Sequence, residues 1–486
     1  MIRLESQSDL MADLGGLSVM LRTAALQATT LNDALRFAKL YGRLHWDNIS
    51  GHFGDEALED ALHKRWAGAF PATKQPALEG ITHLHVASRV YGQGGHSRLL
   101  RYVSKGLAPY GRQALVLTDS RKTNDLSGMP SSILKLSGDP AARVSALVAA
   151  AAQAEAVLLH IHPDDIGAAL AARILRSQGK KILFVNHADH VFSFGAGAAS
   201  AVLEICATGW KTTKTRRQAV AQSFMGIPIV ENSRKPEQWT GNRTGAIVSM
   251  GGGGKFQPSD KLSFPKLLAE LLPRVPNKVV LIGPSAKDPW WRAVAEAFPD
   301  RIELRGVLPF QEVEEILKGC ACYVDSFPLD GGTAYPQTAA LGVPCFGLNA
   351  AEAPGVSPTD RLRFQSQEQL EEGLVAYLTG GDYPFDQDGV ISTILQDFSA
   401  EAVSKRVLSA LRGDCIGLPN YLGFLGQRSS DYNAKRWIDE KTLHLPKRIW
   451  KGLSFASRKK LLSKISKSDL SALVKKKLRQ RIFLTW

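Results

Sequence analysis

A run of four glycines followed by a lysine is the clearest candidate for a binding site in this sequence. In VSMGGGGKFQPSD, Gly251 to Gly254 follow an apolar segment and precede Lys255. Glycine leaves backbone amides free to donate hydrogen bonds and lysine adds a positive charge, so the pattern predicts a site for a phosphate or a diphosphate. A flexible turn is the simpler alternative, since both residue types are common.

A second candidate binding site lies in YVDSFPLDGGTAYPQTAALGVP, residues 323–344. An apolar segment ends at Asp325, and a loop with two glycines leads to Thr333, which begins a predicted helix. The amides from Gly332 to Ala334 would lie at the positive end of that helix and predict a second anion site. The same composition occurs at other strand-to-helix turns, so this segment does not decide the function alone.

The first half of the chain holds a third glycine-containing loop, YGQGGHSRLL (91–100), between a predicted strand and a predicted helix. Gly94 and Gly95 could close over a phosphate, although glycine also simply allows a turn. His96 follows them, and the unperturbed pKa of histidine, about 6.5, suits a group that takes a proton from an attacking hydroxyl. His96 is therefore one candidate for a general base.

Further candidates for the general base lie in NHADH, just past the end of another predicted strand. His187 and His190 supply the imidazoles, and Asp189 could orient one of them. His160 and His162 alternate along the end of a strand, so we expect them to pack or to form hydrogen bonds instead.

Short strand-like segments alternate with helical ones from about residue 80, which predicts parallel βαβ units. The strands of the first series are predicted at 82–88, 114–120, 132–136, 156–162, 181–187 and 203–208. The polar segment 231–245 reads as a linker. A second series of strands is predicted at 246–250, 278–283, 301–306, 320–326 and 343–348. Two Rossmann-like domains joined by one linker imply a cleft lined by loops at the carboxyl ends of the strands.

The net charge of +14 is concentrated at the C-terminus. Residues 446–486 contain thirteen Lys or Arg and a single acid, Asp469, with Leu470, Leu473 and Leu478 at helical spacing. Such a segment could lie on an anionic membrane surface, bind nucleic acid or dock on the protein itself, and we prefer the membrane surface to nucleic acid. No segment reaches the roughly 18 consecutive apolar residues of a membrane-spanning helix.

Three stretches over residues 246–348 carry a family resemblance. MGGGGKFQP, RIELRGVLPFQEVEEILKGCACYVDSFP and DGGTAYPQTAALGVP resemble, in this order, the nucleotide-sugar glycosyltransferases of the GT-B fold. The closest likeness is to the catalytic region of protein O-GlcNAc transferases and N-glucosyltransferases. The resemblance implies that these residues bind the donor: Gly94, Gly95, Gly254, Lys255, Arg305, Val307, Gly331, Gly332, Thr333, Ala334 and Gln337.

The sequence departs from this family at two functional positions. Where the family usually has an acid that holds the ribose, this chain has Gln337, which can form hydrogen bonds but carries no charge. Retaining GT-B enzymes have two glutamates eight positions apart, and the matching residues are Leu329 and Gln337. The absence of this pair favours an inverting reaction.

The resemblance implies a GT-B enzyme with two Rossmann-like domains facing a cleft. We expect a helical N-terminal extension over 1–78, an acceptor-side domain over 79–235, a nucleotide-sugar-binding domain over 236–410 and a basic helical tail over 411–486. The predicted activity is an inverting hexosyl transfer from a UDP-sugar to a glycan, a lipid-linked saccharide or a protein. A cytoplasmic location, with the tail on the inner face of a membrane, fits these features.

No metal and no cofactor are predicted besides the sugar nucleotide, which is a substrate. The one acid pair at Asp-x-Asp spacing, Asp386 and Asp388, lies outside both strand series and is interpreted as a solvated turn. Two alternative functions stay open. A sugar-nucleotide epimerase of the same fold would need no acceptor, and a non-catalytic protein would only bind the nucleotide sugar.

Overall fold

The computed structural model describes residues 2–3, 7–48, 50–71, 73–91, 95–119, 125–231, 241–259, 261–349, 355–423 and 442–443. The predicted tail 446–486 and Gly94 lie outside these residues. The chain begins with a short strand, β1 (Ile2–Arg3), and three helices, α1 (Gln7–Gln27), α2 (Leu31–Asn48) and α3 (Glu56–Trp66). The helical N-terminal extension is therefore confirmed.

The extension is built into the first α/β unit and shares its core. The hydroxyl of Thr30 caps α2 by accepting a hydrogen bond from Asp33 N, and the apolar face of α2 includes Leu35 and Leu44. These side chains belong to the same buried cluster as Val86 of the first sheet. Burial of this face stabilises the helices more than their intrinsic propensity does.

The first sheet has seven strands, all parallel, in the order β4-β3-β2-β5-β6-β7-β8. They are β2 (His83–Ala87), β3 (Gln113–Leu117), β4 (Ser132–Lys135), β5 (Ala156–His160), β6 (Lys181–Asn186), β7 (Ala201–Glu204) and β8 (Gln222–Phe224). The connecting helices are α4 (Gly95–Leu107), α5 (Pro140–Ala151), α6 (Ile166–Ser177) and α7 (Ala207–Arg216). The strand predicted at 203–208 ends early because Cys206 caps α7, with its Sγ accepting from Gly209 N.

The second sheet has six strands, all parallel, in the order β11-β10-β9-β12-β13-β14. They are β9 (Ile247–Met250), β10 (Val279–Ile282), β11 (Ile302–Gly306), β12 (Cys322–Val324), β13 (Cys345–Leu348) and β14 (Arg363–Phe364). The helices after β9 are α8 (Phe264–Leu271), α9 (Arg292–Ala297), α10 (Phe310–Lys318), α11 (Ala334–Ala340), α12 (Gln367–Leu378), α13 (Gln387–Asp397), α14 (Ala400–Arg412) and α15 (Asn420–Gly423). A last strand, β15 (Thr442–Leu443), pairs antiparallel with β1.

Helix α14 returns from the second unit and packs against α4 of the first. Its residues Val403 and Val407 lie in one buried cluster with Leu99 and Val103 of α4. The two units are therefore connected both by the chain after β8 and by this packed helix.

The carboxyl edges of the two sheets face each other. Ala207, at the start of α7 after β7, donates its backbone N–H to the oxygen of Gly355, on the loop after β13, over 3.0 Å. The predicted α/β class, with two parallel units facing a cleft, is confirmed. Among the described helices, none has the length and apolarity to cross a bilayer.

Candidate functional site

The turn after β9 directs Lys255 toward the loop after β12. Gly253–Phe256 form one 3-10 turn, anchored by the buried ring of Phe256, which lies 5.5 Å from the ring of Trp291. Lys255 Nζ donates a hydrogen bond to the backbone oxygen of Asp330. Since β9 and β12 are neighbours in the sheet, their two carboxyl-end loops meet at the lysine.

The loop after β12 folds around the buried carboxylate of Asp325, which is 0% exposed. Its Oδ1 accepts hydrogen bonds from the backbone N–H of Ser326, at 3.0 Å, and of Gly331, at 2.9 Å. A Cβ on Gly331 would lie 2.3 Å from that oxygen, so a side chain has no room there. Gly332 has φ +59°, and a Cβ on it would lie 3.9 Å from Lys255 Nζ, which places both glycines beside the lysine.

Arg363 on β14 completes the floor of this site. Its Nη2 donates to Asp325 Oδ2 over 2.8 Å and its Nε to Asp360 Oδ1 over 3.0 Å, while the guanidinium lies 4.5 Å from the ring centre of Tyr335. Burial raises the pKa of Asp325, and the charge of Arg363 opposes that shift. Burial alone would lower the pKa of Arg363, but the two carboxylates outweigh it and raise the pKa. No sequence pattern indicates Arg363, because β14 is only two residues long.

The predicted helix after Thr333 is α11, which has seven residues. Thr333 occupies its N-cap position without a side-chain capping bond, and Ala334 is its first residue. A helix this short adds little macrodipole, so the positive charge at this edge comes mainly from Lys255. Gln337 Nε2 lies 3.5 Å from the backbone oxygen of Ile229, in the segment after β8, at the limit of a hydrogen bond.

The residues predicted to lie against a nucleotide base are at the end of β11. The guanidinium of Arg305 is 3.6 Å from the carboxylate of Glu303, and the side chain of Val307 is 69% exposed. The backbone here is fixed, because Gly283 N donates to Gly306 O over 2.7 Å. Val307 therefore offers an apolar surface at the same edge as Lys255.

In the first unit, two predicted bases lie against each other. The ring centres of His96 and His187 are 4.3 Å apart, and His96 Nε2 donates to the backbone oxygen of His160 over 2.8 Å. Burial is the main cause that lowers the pKa of both imidazoles, and that of His187 falls well below its usual value. Both rings are therefore neutral at pH 7. Gly95 is the first residue of α4, immediately before His96.

The predicted pair of His190 and Asp189 is also formed. His190 Nδ1 lies 3.3 Å from Asp189 Oδ1, and the His190 side chain is 41% exposed. Cys206 Sγ donates to the other oxygen of Asp189 over 2.8 Å. Burial raises the pKa of Asp189, but the contacts with His190 and Cys206 and the charge of Arg217 outweigh burial and lower it.

A pair that was not expected lies at the end of β5. His162 Nδ1 is 2.7 Å from Oδ1 of the buried Asp164, and the His162 side chain is 29% exposed. His162 lies two residues after His160, whose backbone oxygen accepts from His96 Nε2, and the His96 ring packs on His187, so the three imidazoles lie at the same edge of the sheet. His162, which we expect from the sequence to pack or to form a hydrogen bond, does form one, and its partner is a carboxylate two residues further along the chain. We call His96, His162, His187 and His190 the histidine edge.

No group of three or more His, Cys, Asp or Glu in the described part of the chain could hold a metal ion. Asp386 of the Asp-x-Asp pair caps α13, with its Oδ1 accepting from Gly389 N over 3.0 Å.

No family model matches the sequence, and no curated protein matches it. Solved structures do resemble the fold. A glycosyltransferase from Rickettsia africae has 12% sequence identity and a TM-score of 0.50, over 69% of this chain and 99% of that chain. A variant of the O-GlcNAc transferase from Thermobaculum terrenum has 14% identity and a TM-score of 0.44, over 89% and 84% of the two chains. A UDP-GlcNAc 2-epimerase from Methanocaldococcus jannaschii has 10% identity and a TM-score of 0.43, over 68% and 100%. Identities of this size establish architecture alone, and that architecture is the GT-B fold that the sequence predicted.

Proposed function

We propose that this protein is a glycosyltransferase that takes a sugar from a nucleoside diphosphate sugar, most simply a UDP-sugar. The observation that supports the proposal is the position of Lys255 beside Gly331 and Gly332 at the carboxyl edge of the second sheet. The amide of Gly331 is used by Asp325, so the amide of Gly332 and the cation of Lys255 are the groups at this edge that suit a diphosphate. Lys255 Nζ donates to a neutral carbonyl, and a phosphate oxygen would replace that bond with a stronger, charge-assisted one.

Each unit supplies one of the two groups that the transfer needs: a cation for the leaving diphosphate and a base for the attacking hydroxyl. The acceptor oxygen attacks the anomeric carbon, and the bond from that carbon to the diphosphate breaks with its electron pair leaving on the diphosphate. Lys255 stabilises this charge, and a histidine of the histidine edge takes the acceptor proton. Attack from the side opposite to the leaving group inverts the anomeric configuration. A donor site on one sheet and imidazoles on the facing one support this stereochemistry.

The proposals for the acceptor and for the location of the protein rest on the sequence alone. We propose a glycan, a lipid-linked saccharide or a protein as acceptor, and a cytoplasmic protein whose tail 446–486 contacts an anionic membrane surface. Flotation with vesicles of anionic and of neutral lipid tests the tail, with the chain truncated before Pro446 as the comparison. Equal flotation of the two proteins would remove the membrane role.

Nucleotide binding is the first test of the proposed function. We expect UDP to raise the melting temperature of the wild type, and Lys255→Ala to weaken UDP binding by about 10- to 100-fold, because a hydrogen bond to a charged group contributes roughly 1.5–3 kcal/mol. Lys266→Ala is the matched control, since Lys266 is 69% exposed on α8 and pairs only with Glu270 at 3.6 Å among the described residues. Equal UDP affinity in the two variants would contradict the donor site.

Turnover separates the proposal from its alternatives. UDP-glucose and UDP-GlcNAc are incubated with and without candidate saccharide and peptide acceptors, and the products are followed by NMR. Release of UDP that depends on an acceptor is expected. An altered sugar nucleotide formed without acceptor would identify an epimerase, and binding of UDP without any turnover would identify a binding protein.

A further inference from the structure

Helix α2 of the N-terminal extension, which shares the core of the first α/β unit, lies against the histidine edge. The ring of Trp46 is centred 5.0 Å from the ring of His162. Lys39 Nζ lies 3.8 Å from Asp164 Oδ1, and Arg43 Nη1 lies 3.9 Å from Asp164 Oδ2. The N-terminal extension, to which the sequence assigned no chemistry, therefore surrounds one particular imidazole and its carboxylate.

The geometry fixes which nitrogen of His162 can accept a proton. The 2.7 Å contact from Nδ1 to Asp164 Oδ1 is shorter than the 3.3 Å contact between Nδ1 and the backbone N–H of Asp164. Nδ1 therefore carries the hydrogen and donates it to the carboxylate, which leaves the lone pair on Nε2. Among the described residues, Nε2 of His162 has no hydrogen-bond partner recorded in the structure.

His162 and, to a smaller extent, the two cations of α2 keep the buried Asp164 ionised. Burial raises the pKa of Asp164, but the hydrogen bond and charge of His162, followed by the charges of Lys39 and Arg43, outweigh burial and lower it. At 3.8 and 3.9 Å the two cations act through their field rather than through short hydrogen bonds.

The other imidazoles of the histidine edge are less suited to take a proton. His96 uses Nε2 to donate to a backbone carbonyl, and His187 packs on His96. His190 is held by a carboxylate at 3.3 Å, against 2.7 Å for His162. A shorter contact orients an imidazole more firmly and stabilises the imidazolium better once it forms.

We propose that His162 is the general base of the transfer, and that Lys39 and Arg43 are positioning residues that act on it through Asp164. This inference rests on the proposed function. The acceptor O–H bond breaks, its proton goes to Nε2 of His162, and the oxygen forms its bond to the anomeric carbon as the diphosphate leaves with the electron pair. The imidazolium, paired with Asp164, then returns the proton to solvent.

The charged and titratable groups that face His162 come from three other elements and its own loop. Asp164 lies on the loop after β5, His96 on α4 and His187 on the loop after β6. Helix α2 carries Lys39 and Arg43, and also Asp47, to which Arg43 Nε donates over 2.9 Å. Since burial keeps His96 and His187 neutral, they add no positive charge that would oppose an imidazolium.

Two substitutions are expected to shift the pH profile in opposite directions. Asp164→Asn removes the negative charge beside His162, so the acid limb of the kcat profile should move to lower pH. Lys39→Met combined with Arg43→Met removes two positive charges near Asp164. An imidazolium then forms more easily beside it, so the limb should move to higher pH. The double variant is expected to fold, because both cations are 36% exposed. A merely structural role would lower activity without moving the limb.

The test uses the full chain and UDP-GlcNAc or UDP-glucose as donor, with UDP release as the readout and UDP affinity measured in parallel. His162→Gln should lower kcat by about 100-fold or more while the Kd for UDP stays within about twofold. Arg36→Met, on the same helix and 65% exposed, should change neither quantity.

If His162→Gln keeps its kcat while His96→Gln or His190→Gln loses it, with UDP binding intact, this assignment is wrong and the proposed function survives. Failure of the wild-type protein to bind UDP would instead overturn both this assignment and the proposed function.

Discussion

Gly106 on α4 lies so close to Ser404 on α14 that a Cβ on the glycine would come within 2.2 Å of the serine Oγ. The backbone oxygen of Ala400 would be only 2.4 Å away. The helix that returns from the second unit can therefore pack on the first only because position 106 has no side chain. The relative position of the two sheets depends in part on this contact.

Substitution of Gly106 by alanine should destabilise the protein although alanine favours helices. We expect a loss of about 1–3 kcal/mol in the free energy of unfolding, because the extra methyl meets backbone atoms that cannot rotate away. Urea denaturation measures it. Gly16→Ala on α1 is the control, since no atom lies within 4 Å of its Cβ position, and it should stabilise by about 0.5–1 kcal/mol. Similar changes in the two variants would exclude the proposed clash.

Each of the eleven strands that the sequence predicted overlaps a strand of the structure. Strands β8 and β14 have three and two residues, too short for periodicity to show, and both were missed. Helix α8 begins at Phe264, because Ser263 caps it by accepting from Lys266 N over 3.2 Å. The local sequence pattern therefore predicts whether a segment is a helix or a strand, whereas the capping residues determine where it begins and ends.

The site was predictable where its residues are adjacent in the chain. Lys255 and the glycines beside it could be found from their spacing. The partners of Asp325 and Asp164 could not, because Arg363 and Lys39 reach them only after the whole domain has folded. No property of Lys39 within α2 distinguishes it from a solvated lysine. Tertiary packing, rather than local sequence, creates both ion pairs.

The pair of Asp325 and Arg363 should be far more important for stability than an exposed pair. Arg363→Met leaves a carboxylate that is 0% exposed without its cation, which should cost about 3–5 kcal/mol in the free energy of unfolding. Adding Asp325→Asn should recover part of that loss. Arg274→Met is the control, since Arg274 is 38% exposed and its partner Glu372 is 68% exposed, so the expected loss is below about 1 kcal/mol. A loss of equal size in Arg363→Met and Arg274→Met, measured by urea denaturation, would contradict the buried network.

Glu204 should make the protein less stable as pH rises. Its carboxyl is fully buried, and burial raises its pKa to about 7 against hydrogen bonds from Thr213 and Asn186 and the charge of Arg217. Between the unfolded pKa of about 4.5 and the folded value, the unfolded chain releases a proton that the folded one keeps, so stability falls with rising pH. The loss is complete above pH 7.

The side chain at position 204 does not titrate in Glu204→Gln, so this variant should not lose the same stability as the pH rises. Its free energy of unfolding relative to the wild type should rise by roughly 2–3 kcal/mol between pH 5 and pH 8. Glu270→Gln on α8 serves as the control, since its side chain is 41% exposed. A difference between Glu204→Gln and wild type that does not change with pH would show that Glu204 titrates normally.

A chain of hydrogen bonds under α4 should give the opposite pH dependence. Gln113 Nε2 donates to Ser104 O over 2.9 Å, so its Oε1 accepts from His85 Nε2 over 2.8 Å. His85 Nδ1 must then accept from His160 Nε2, at 3.1 Å, and both rings are neutral. Burial lowers the pKa of His85 to about 4 and that of His160 well below its usual value.

As the pH falls below 6.5, the unfolded chain binds protons at these histidines and the folded chain does not, so the folded state loses stability down to about pH 4. For His85 alone the loss between pH 7 and pH 5 is roughly 2 kcal/mol. His85→Gln should be less stable than wild type at pH 7, because the smaller side chain packs poorly, but it should lose about 2 kcal/mol less on acidification to pH 5. Urea denaturation at pH 7 and pH 5 measures this difference. If His85→Gln lost as much stability on acidification as the wild type, His85 would be protonated inside the folded protein.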